Sequence, residues 1–114
     1  MLRKTLSCIA FAIGLASAVS AQADDINIGA VFPLSGPNAT YGDIFMSGAD
    51  LAARHANEDG MLSGELNILY EDSQALPQQG VVAMNKLVNV ESVPYVLSAF
   101  TGVSKAISLS LIHI

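Results

Sequence analysis

Three short apolar runs, each followed by a longer stretch with helical spacing, set the pattern of this sequence. The runs cover residues 26–34, 66–70 and 95–100, and we expect each of them to form a β-strand. The first run is apolar almost throughout, which is typical of a strand buried on both faces of a sheet. Gly29 within this run costs some stability and indicates a close approach of the backbone to its neighbours.

The stretches between the apolar runs have the spacing of amphipathic helices. Helices are predicted over residues 43–57 and 77–89, and a third is expected to start at Val103. Asp43 is a good N-cap for the first helix, and Pro77 suits the first turn of the second, where its missing N–H is not needed. The expected buried residues are Phe45, Ala49, Ala52 and Ala56 of the first helix and Val81, Met84, Leu87 and Val88 of the second.

The order of these elements predicts the fold class. Strands and helices alternate, and the crossovers are long enough for parallel pairing, so we expect an α/β fold with an incomplete doubly wound parallel sheet. The three strands should lie in the order 2-1-3, with helices on both faces. The loops over residues 33–42, 71–76 and 98–102 would then meet at one edge of the sheet, where we predict a binding site.

The N-terminus has the layout of a secretory signal peptide. Two basic residues precede an apolar stretch over 6–19, and Ala-Gln-Ala forms a small-x-small cleavage signal. We therefore expect a signal peptide over 1–23, cleavage after Ala23, and a folded unit over 24–114. An uncleaved membrane anchor is the alternative, but the apolar stretch is short for a span of about 20 residues. Cleavage would remove Cys8, so the mature chain could form no disulfide.

Charge excludes two classes of partner. Without the first 23 residues, three basic and ten acidic residues remain, which gives a net charge of −7. Such a chain repels a phosphate backbone, so nucleic-acid binding is not expected. The same repulsion disfavours an anionic membrane surface, and we expect no membrane insertion of the mature chain.

The sequence offers no positive case for catalysis. It lacks a G-x-G-x-x-G or Walker loop, and neither His55 nor His113 has a partner at close spacing. No catalytic residue, metal or cofactor is therefore expected. Glu71 and Asp72 leave one alternative open, an α/β enzyme or phospho-acceptor fragment that uses this acid pair. The simpler interpretation is that the pair ends a strand and orients the following loop.

The loops at the predicted edge carry neutral groups that suit a small ligand. Gly36, Gly42 and Gly102 would let the backbone approach a ligand closely. The helix N-terminus after Gly102 would suit a carboxylate. Tyr41 could either contact an apolar part of the ligand or pin its own loop. Hydroxyl groups are available at Ser35, Thr40, Ser98, Thr101 and Ser104.

An ordered set of short motifs resembles a known family. The set begins with IGAVFPLSGP at 28–37 and continues at Tyr41-Gly42, Gly48-Ala49, 57–61, 70–73, 83–88 and 95–98. In this order and spacing it resembles the leucine/isoleucine/valine-binding type of periplasmic substrate-binding protein, which serves ABC transporters. The resemblance covers nearly all of the chain from the expected cleavage site to about Ile107.

The resemblance implies a type I periplasmic binding protein fold, in which two α/β lobes close on a ligand. Residues 24–114 would be an incomplete N-terminal lobe. The implied function is periplasmic binding of amino acids, branched-chain ones above all, for delivery to ABC permease subunits, without catalysis. Tyr41 would line the side-chain pocket, and Thr101-Gly102 would hold the carboxylate. The expected ligand-binding residues are Ser35, Tyr41, Ser98, Thr101 and Gly102.

The chain departs from the family pattern in two ways. A cysteine pair that some members carry is replaced here by residues 73–75 and 99–101, the usual acid before Pro77 is Leu76, and Ser98 and Ala99 stand where many relatives have a glycine and a small residue or proline. These changes leave the ligand open among branched-chain and other amino acids, amides, urea and aromatic acids. The chain also stops where the third helix has barely started, with an apolar, uncapped tail over 109–114. We therefore expect an N-terminal fragment that is unstable or aggregation-prone alone and binds no ligand tightly.

Overall fold

The computed structural model describes residues 23–112, and within them strands and helices alternate as the sequence predicts. The predicted signal peptide lies outside the described residues except for Ala23. No helix within 23–112 is both long enough and apolar enough to cross a membrane. The elements are β1 (Ile26–Phe32), α1 (Ala39–Glu58), β2 (Leu66–Asp72), α2 (Pro77–Asn89), β3 (Val96–Ser98) and α3 (Thr101–Ile112).

The strands form a parallel sheet in the order β2-β1-β3, which confirms the predicted order. All seven residues of β1 pair with β2, in a register that begins at Ile26 opposite Leu66. Only three residues pair with β3, beginning at Gly29 opposite Val96. The first strand is therefore central, and all three strands end at the same edge, which we call the carboxyl edge.

The helices cover both faces of the sheet, as predicted. Successive side chains of a strand point to opposite faces of the sheet, so the contacts of Phe32 and Val31 show which helices cover each face. The Phe32 ring packs against Phe45 of α1, with 5.5 Å between ring centroids. Val31 is buried in a core cluster with Leu87 of α2 and Val103 of α3. Helix α1 thus lies on one face, and α2 and α3 lie on the other.

The core lies on the face covered by α2 and α3. Val31, Leu87 and Val103 are fully buried there. Gly29 makes this packing possible, because an added Cβ would lie 2.7 Å from Leu87 Cδ1. The close approach predicted at Gly29 is confirmed, and its partner is a helix side chain. The predicted face of α2 is also confirmed, since Met84 and Leu87 are buried and Val81 and Val88 are half-buried.

Helix α1 begins four residues earlier than predicted, so the assignment of Asp43 as its N-cap is wrong. Asn38 precedes the first helical residue and makes no side-chain capping bond. A turn starts the helix instead, because the Ala39 N–H donates to the Gly36 carbonyl and the Tyr41 N–H donates to Asn38. Tyr41 and Gly42 therefore belong to the first turn of the helix rather than to the loop.

The buried stripe of α1 is predicted in part. Phe45 packs on Phe32 and Ala49 and Ala56 are half-buried, as expected, but Ala52 is exposed and the buried residues are Gly42 and Ala53. The physical reason is the close contact at Gly42, where an added Cβ would lie 2.1 Å from the Pro33 carbonyl oxygen. This contact fixes which side of the helix faces the sheet.

Two further boundaries move. β2 continues through Glu71 and Asp72, which pair with Val31 and Phe32 of β1 instead of opening a loop. Helix α3 starts at Thr101, two residues before the expected position, and extends to Ile112. The tail expected to be uncapped is therefore helical as far as the structure describes it.

Candidate ligand-binding site

Three loops meet at the carboxyl edge, as the topology predicts. They are loop 1 (33–38), loop 2 (73–76) and loop 3 (99–100). Loop 1 is tied to β2 and loop 2 through the Asp72 carboxylate. The first turn of α1 is tied to loop 3 by a ring contact between Tyr41 and Phe100. Within residues 23–112 the site is an open surface that encloses no cavity.

Asp72 is the centre of the hydrogen bonding at this edge. Its Oδ1 accepts from the backbone N–H of Leu34 at 2.8 Å, of Ser35 at 3.3 Å and of Gln74 at 2.8 Å. Its Oδ2 accepts from the Ser35 hydroxyl. Burial alone would raise the pKa of Asp72, but these bonds favour the charged form and lower its pKa overall. The carboxylate therefore holds two loops in its ionised form.

Loop 2 is a strained turn that depends on short-range hydrogen bonds. Gln74 and Ala75 have φ of 50° and 59°, in the left-handed region that disfavours residues with a Cβ. Ser73 is fully buried, and its hydroxyl accepts from the Ala75 N–H at 3.2 Å. Together with the bond from Gln74 to Asp72, this contact stabilises the turn. Strained backbone of this kind clusters at binding sites, which supports a functional role for this edge.

Loop 3 contains a second strained position. Phe100 has a φ of 68° immediately before the first residue of α3. The hydroxyls of Ser98 and Ser104 are hydrogen-bonded to each other across this turn. The turn directs the Phe100 ring towards α1, where it meets Tyr41 edge to face at 5.9 Å between centroids.

Aromatic side chains form a continuous row from the middle of the sheet to the carboxyl edge. We call this set the aromatic row; its members touch in the sequence Tyr70, Phe32, Phe45, Phe100, Tyr41. Phe32, second in the aromatic row, is buried, whereas Tyr41 at the end of the row is 53% exposed. Tyr70 donates to Asp50 of α1 at 2.6 Å, and burial together with this bond raises its pKa. The exposed end offers an apolar wall beside polar loop groups.

The predicted site residues all lie at this edge, in different settings. Ser35 and Ser98 have their hydroxyls engaged by Asp72 and Ser104. Thr101 and Gly102 are exposed in the first turn of α3, whose leading N–H groups lack partners within the helix. Tyr41 contacts Phe100 of loop 3 rather than pinning its own loop, and about half of its surface stays exposed beside that contact.

One of the predicted glycine roles is wrong. Gly42 is buried against the Pro33 carbonyl and presents no surface to a ligand. Its role is to let α1 pack on loop 1. Gly36, with a φ of 81°, supplies the left-handed turn within loop 1.

Asp72 and Phe100 have roles that the sequence indicates only in part. Asp72 orients the loop after its strand, as the simpler interpretation of the acid pair expects, but it also holds loop 1, and Phe100 follows β3 in a turn instead of ending the strand. A signal was available for Asp72, because an acid that ends a strand often accepts bonds from the next backbone N–H groups. No pattern in the sequence indicates the left-handed conformation of Phe100, because bulky residues rarely adopt it.

The two acids do not form the pair that the alternative interpretation requires. They are consecutive strand residues and point to opposite faces. Glu71 forms an ion pair with Lys86 of α2, and the hydrogen bond to Glu71 raises the pKa of Lys86. Across residues 23–112 no group of three or more His, Cys, Asp or Glu residues could hold a metal ion. The geometry therefore gives the phospho-acceptor interpretation no support.

Fold and site together define a class. An open parallel sheet in the order 2-1-3, with helices on both faces and its loops converging at one edge, is the doubly wound α/β arrangement that binds ligands at the carboxyl ends of its strands. The periplasmic binding protein family model matches residues 25–111. The chain belongs to this family.

Known proteins agree with this assignment. The chain is 40% identical over 109 residues to a Leu/Ile/Val-binding protein homolog of Brucella melitensis. The aligned region covers 92% of this chain and 28% of that protein. It is 36% identical over 99 residues to the leucine-specific-binding protein of Salmonella typhimurium, covering 85% and 26%. A possible leucine/isoleucine/valine-binding protein from Rhodopirellula baltica has the same fold, with a TM-score of 0.76, 22% identity and coverage of 84% and 27%.

The matches also set the scale of the comparison. The chain spans little more than a quarter of the length of these relatives. Residues 25–111 therefore correspond to only a part of the fold of a whole relative.

Proposed function

We propose that this chain supplies the N-terminal part of a solute-binding protein of an ABC importer, one that binds branched-chain amino acids outside the cytoplasm. Residues 24–114 form an incomplete N-terminal lobe, and the protein is exported through a signal peptide cleaved after Ala23. Its partners are a small-molecule ligand and the permease subunits of the importer. The observation that carries the proposal is the family match over residues 25–111.

The role in binding follows from the groups exposed at the carboxyl edge. Ser35, Tyr41, Ser98, Thr101 and Gly102 are the proposed ligand-facing residues, and all lie at the converging loops. The free N–H groups at the start of α3 suit a carboxylate. Tyr41 and Phe100 suit an apolar side chain beside it. The ligand would thus have an anionic end and an apolar end.

Catalysis is not part of the proposal. The family consists of binding proteins, and the candidate acids Glu71 and Asp72 are engaged with Lys86 and with the loop backbone. A binding protein needs a preformed apolar surface with a few placed polar groups, and this edge has that composition.

Aromatic acids are a second candidate ligand class. The exposed end of the aromatic row has two rings, Tyr41 and Phe100, arranged edge to face. A benzoate-like ligand would stack on these rings and present its carboxylate to the same helix N-terminus. Branched-chain amino acids remain the first choice because the relatives are named for them.

A chimera tests the proposal. Residues 25–111 replace the matching segment of the Salmonella typhimurium leucine-specific-binding protein, and binding of leucine, isoleucine, valine and 4-hydroxybenzoate is measured by calorimetry. We expect leucine to bind, and Tyr41→Ala to weaken binding by about tenfold or more, as expected for an aromatic anchor. Tyr95→Ala is the matched control, because Tyr95 is 72% exposed and precedes β3 at the opposite end of the strand.

Three possible outcomes of the chimera experiment lead to different conclusions. A chimera that is folded by circular dichroism but binds none of the four compounds would refute the binding function. Binding of 4-hydroxybenzoate in place of leucine would keep the function and change the ligand class. Equal effects of Tyr41→Ala and Tyr95→Ala would remove Tyr41 from the site.

A further inference from the structure

We infer that Asp72 is a positioning residue that holds loop 1, the proposed ligand wall, in its binding shape before any ligand arrives. It does so by accepting hydrogen bonds from both loop 1 and loop 2 on one carboxylate. The inference rests on the proposed function only in treating loop 1 as a ligand wall. The placement of the loop by Asp72 is a property of the chain itself.

Loop 1 has few other bonds that could fix its start. Leu34 and Ser35 are the second and third residues after β1, and both donate their backbone N–H groups to Asp72. The Ser35 hydroxyl donates to the other carboxylate oxygen. The remaining turn bonds run from the Ala39 N–H to Gly36 at 3.2 Å and from the Tyr41 N–H to Asn38 at 3.0 Å, and both order the end of the loop rather than its start. Asp72 therefore fixes the part nearest the strand.

The same carboxylate holds loop 2. The Gln74 N–H donates to Asp72 Oδ1 two residues back, the pattern of an Asx turn. This bond compensates for the left-handed backbone at Gln74. Because one oxygen accepts from Leu34 and from Gln74, the two loops are fixed relative to each other.

The placement reaches Tyr41 through the backbone. The Pro33 carbonyl lies against Gly42, so the start of loop 1 sets where the first turn of α1 can lie. Tyr41 is the neighbour of Gly42 and contacts Phe100 across the site. A shift of loop 1 would therefore change the ring pair that forms the apolar wall.

Amide hydrogen exchange, measured by NMR on the chimera without ligand, tests the inference. The probes are the N–H groups of Leu34 and Gln74, and the internal reference is Gly29, whose N–H donates to Tyr95 within the sheet at 2.8 Å. In Asp72→Ala we expect protection at Leu34 and Gln74 to fall at least tenfold relative to Gly29. Nuclear Overhauser contacts between the Tyr41 and Phe100 rings should weaken in the same variant.

Controls separate positioning from general stability. Asp59→Ala removes an exposed acid after α1 and should leave the ratio of loop to sheet protection unchanged. If Asp72→Ala unfolds the chimera, Asp72→Asn decides; its amide oxygen accepts less strongly than a carboxylate, so we expect a smaller fall in protection at the same loop positions. A selective loss in the loops supports the inference. Loss in step with Gly29, no loss, or an unprotected Leu34 in the parent chimera overturns it, and each of these results is read without ligand and is independent of whether the chimera binds leucine.

Discussion

At the scale of residues, a single carboxylate carries much of the order at the candidate site. Asp72 accepts four hydrogen bonds, three of them from backbone N–H groups that no helix or strand satisfies. Loss of this acceptor would be felt most at the half-buried Leu34 N–H, because the N–H groups of the exposed Ser35 and Gln74 can bind water instead. The nearby charged side chains have partners outside the loops, since Glu71 pairs with Lys86 of α2.

The ionisation of Asp72 predicts a specific acid sensitivity. Its folded-state pKa is lowered, so its contribution to stability is fully present above the unfolded value of about 3.9 and is lost as the pH falls through the folded value. In the chimera we expect Asp72→Asn to cost about 1–2 kcal/mol at pH 7 and progressively less below pH 4. Urea unfolding followed by circular dichroism at pH 7, 5 and 3 measures this difference.

Other ionisable side chains near this edge have partners outside the two loops. Tyr70 donates to Asp50 of α1, and Glu71 pairs with Lys86 of α2. Asp59→Asn provides a matched loss of one charge at an exposed position. A cost for Asp72→Asn that stays constant from pH 7 to pH 3 would contradict the assigned role of its charge.

At the scale of elements, the docking of α1 depends on the absence of one side chain. An added Cβ at Gly42 would lie 2.1 Å from the Pro33 carbonyl oxygen, a backbone atom that cannot rotate away. We therefore expect Gly42→Ala to destabilise the chimera by about 1–3 kcal/mol, the range for overpacked sites. Thermal unfolding followed by circular dichroism at 222 nm provides the measurement.

Gly48 provides the control in the same helix. Nothing lies within 4 Å of a Cβ added there, so Gly48→Ala should raise the stability by up to about 1 kcal/mol through helix propensity alone. If both substitutions changed the stability in the same direction, the close contact at Gly42 could not be the cause.

The core face of α2 gives a second prediction for an element. Leu87 is fully buried against Gly29 and the core cluster, so Leu87→Ala should cost about 2–5 kcal/mol in urea unfolding of the chimera. Val90→Ala, at an exposed position just after the helix, should change the stability by less than about 0.5 kcal/mol. Comparable losses for the two would show that α2 does not pack as described.

Hydrophobic periodicity predicted the elements well and their ends less well. The strands, their order and the face of α2 follow from patterns that burial imposes on the sequence. The start of α1 does not, because it is set by the turn at Gly36 and Asn38 rather than by apolar spacing. The stripe of α1 was predicted only in part because the contact at Gly42, a residue without a side chain, decides the orientation of the helix.

The place of the candidate site in the fold follows from the sequence, but its hydrogen bonding does not. Topology brings the three loops together, so the location of Ser35, Tyr41 and Thr101 at one edge of the sheet could be predicted, while their contact with a ligand stays a prediction. The four bonds to Asp72 and the turn at Phe100 could not, because they depend on the relative position of segments that are distant in the chain.

At the scale of the whole molecule, β3 has a free outer edge. Among the described residues it pairs on one side only. The side chain of Leu97 on this strand is 43% exposed, on the α1 side of the sheet but beyond the part that α1 covers. Unpaired strand edges with apolar side chains favour association with other chains. We expect the purified 24–114 chain to aggregate at micromolar concentration, as measured by light scattering.

A charge at the edge should relieve this tendency. Leu97→Lys places a cation on the open edge and should slow aggregation several-fold, whereas Val82→Lys, at an exposed position on α2, should not. The chain alone is expected to bind no ligand tightly. A cooperative thermal transition that rises with millimolar leucine would contradict that expectation.

The central place of β1 has a consequence for how the chain folds. Its strand is synthesised first, yet its partners lie far along the chain, at Leu66 on one side and Val96 on the other. No sheet can therefore form until β2 has been made, and the three described strands can be joined only once β3 has been made. Pairing over such sequence separations slows folding, so the sheet forms late even though its central strand is made first.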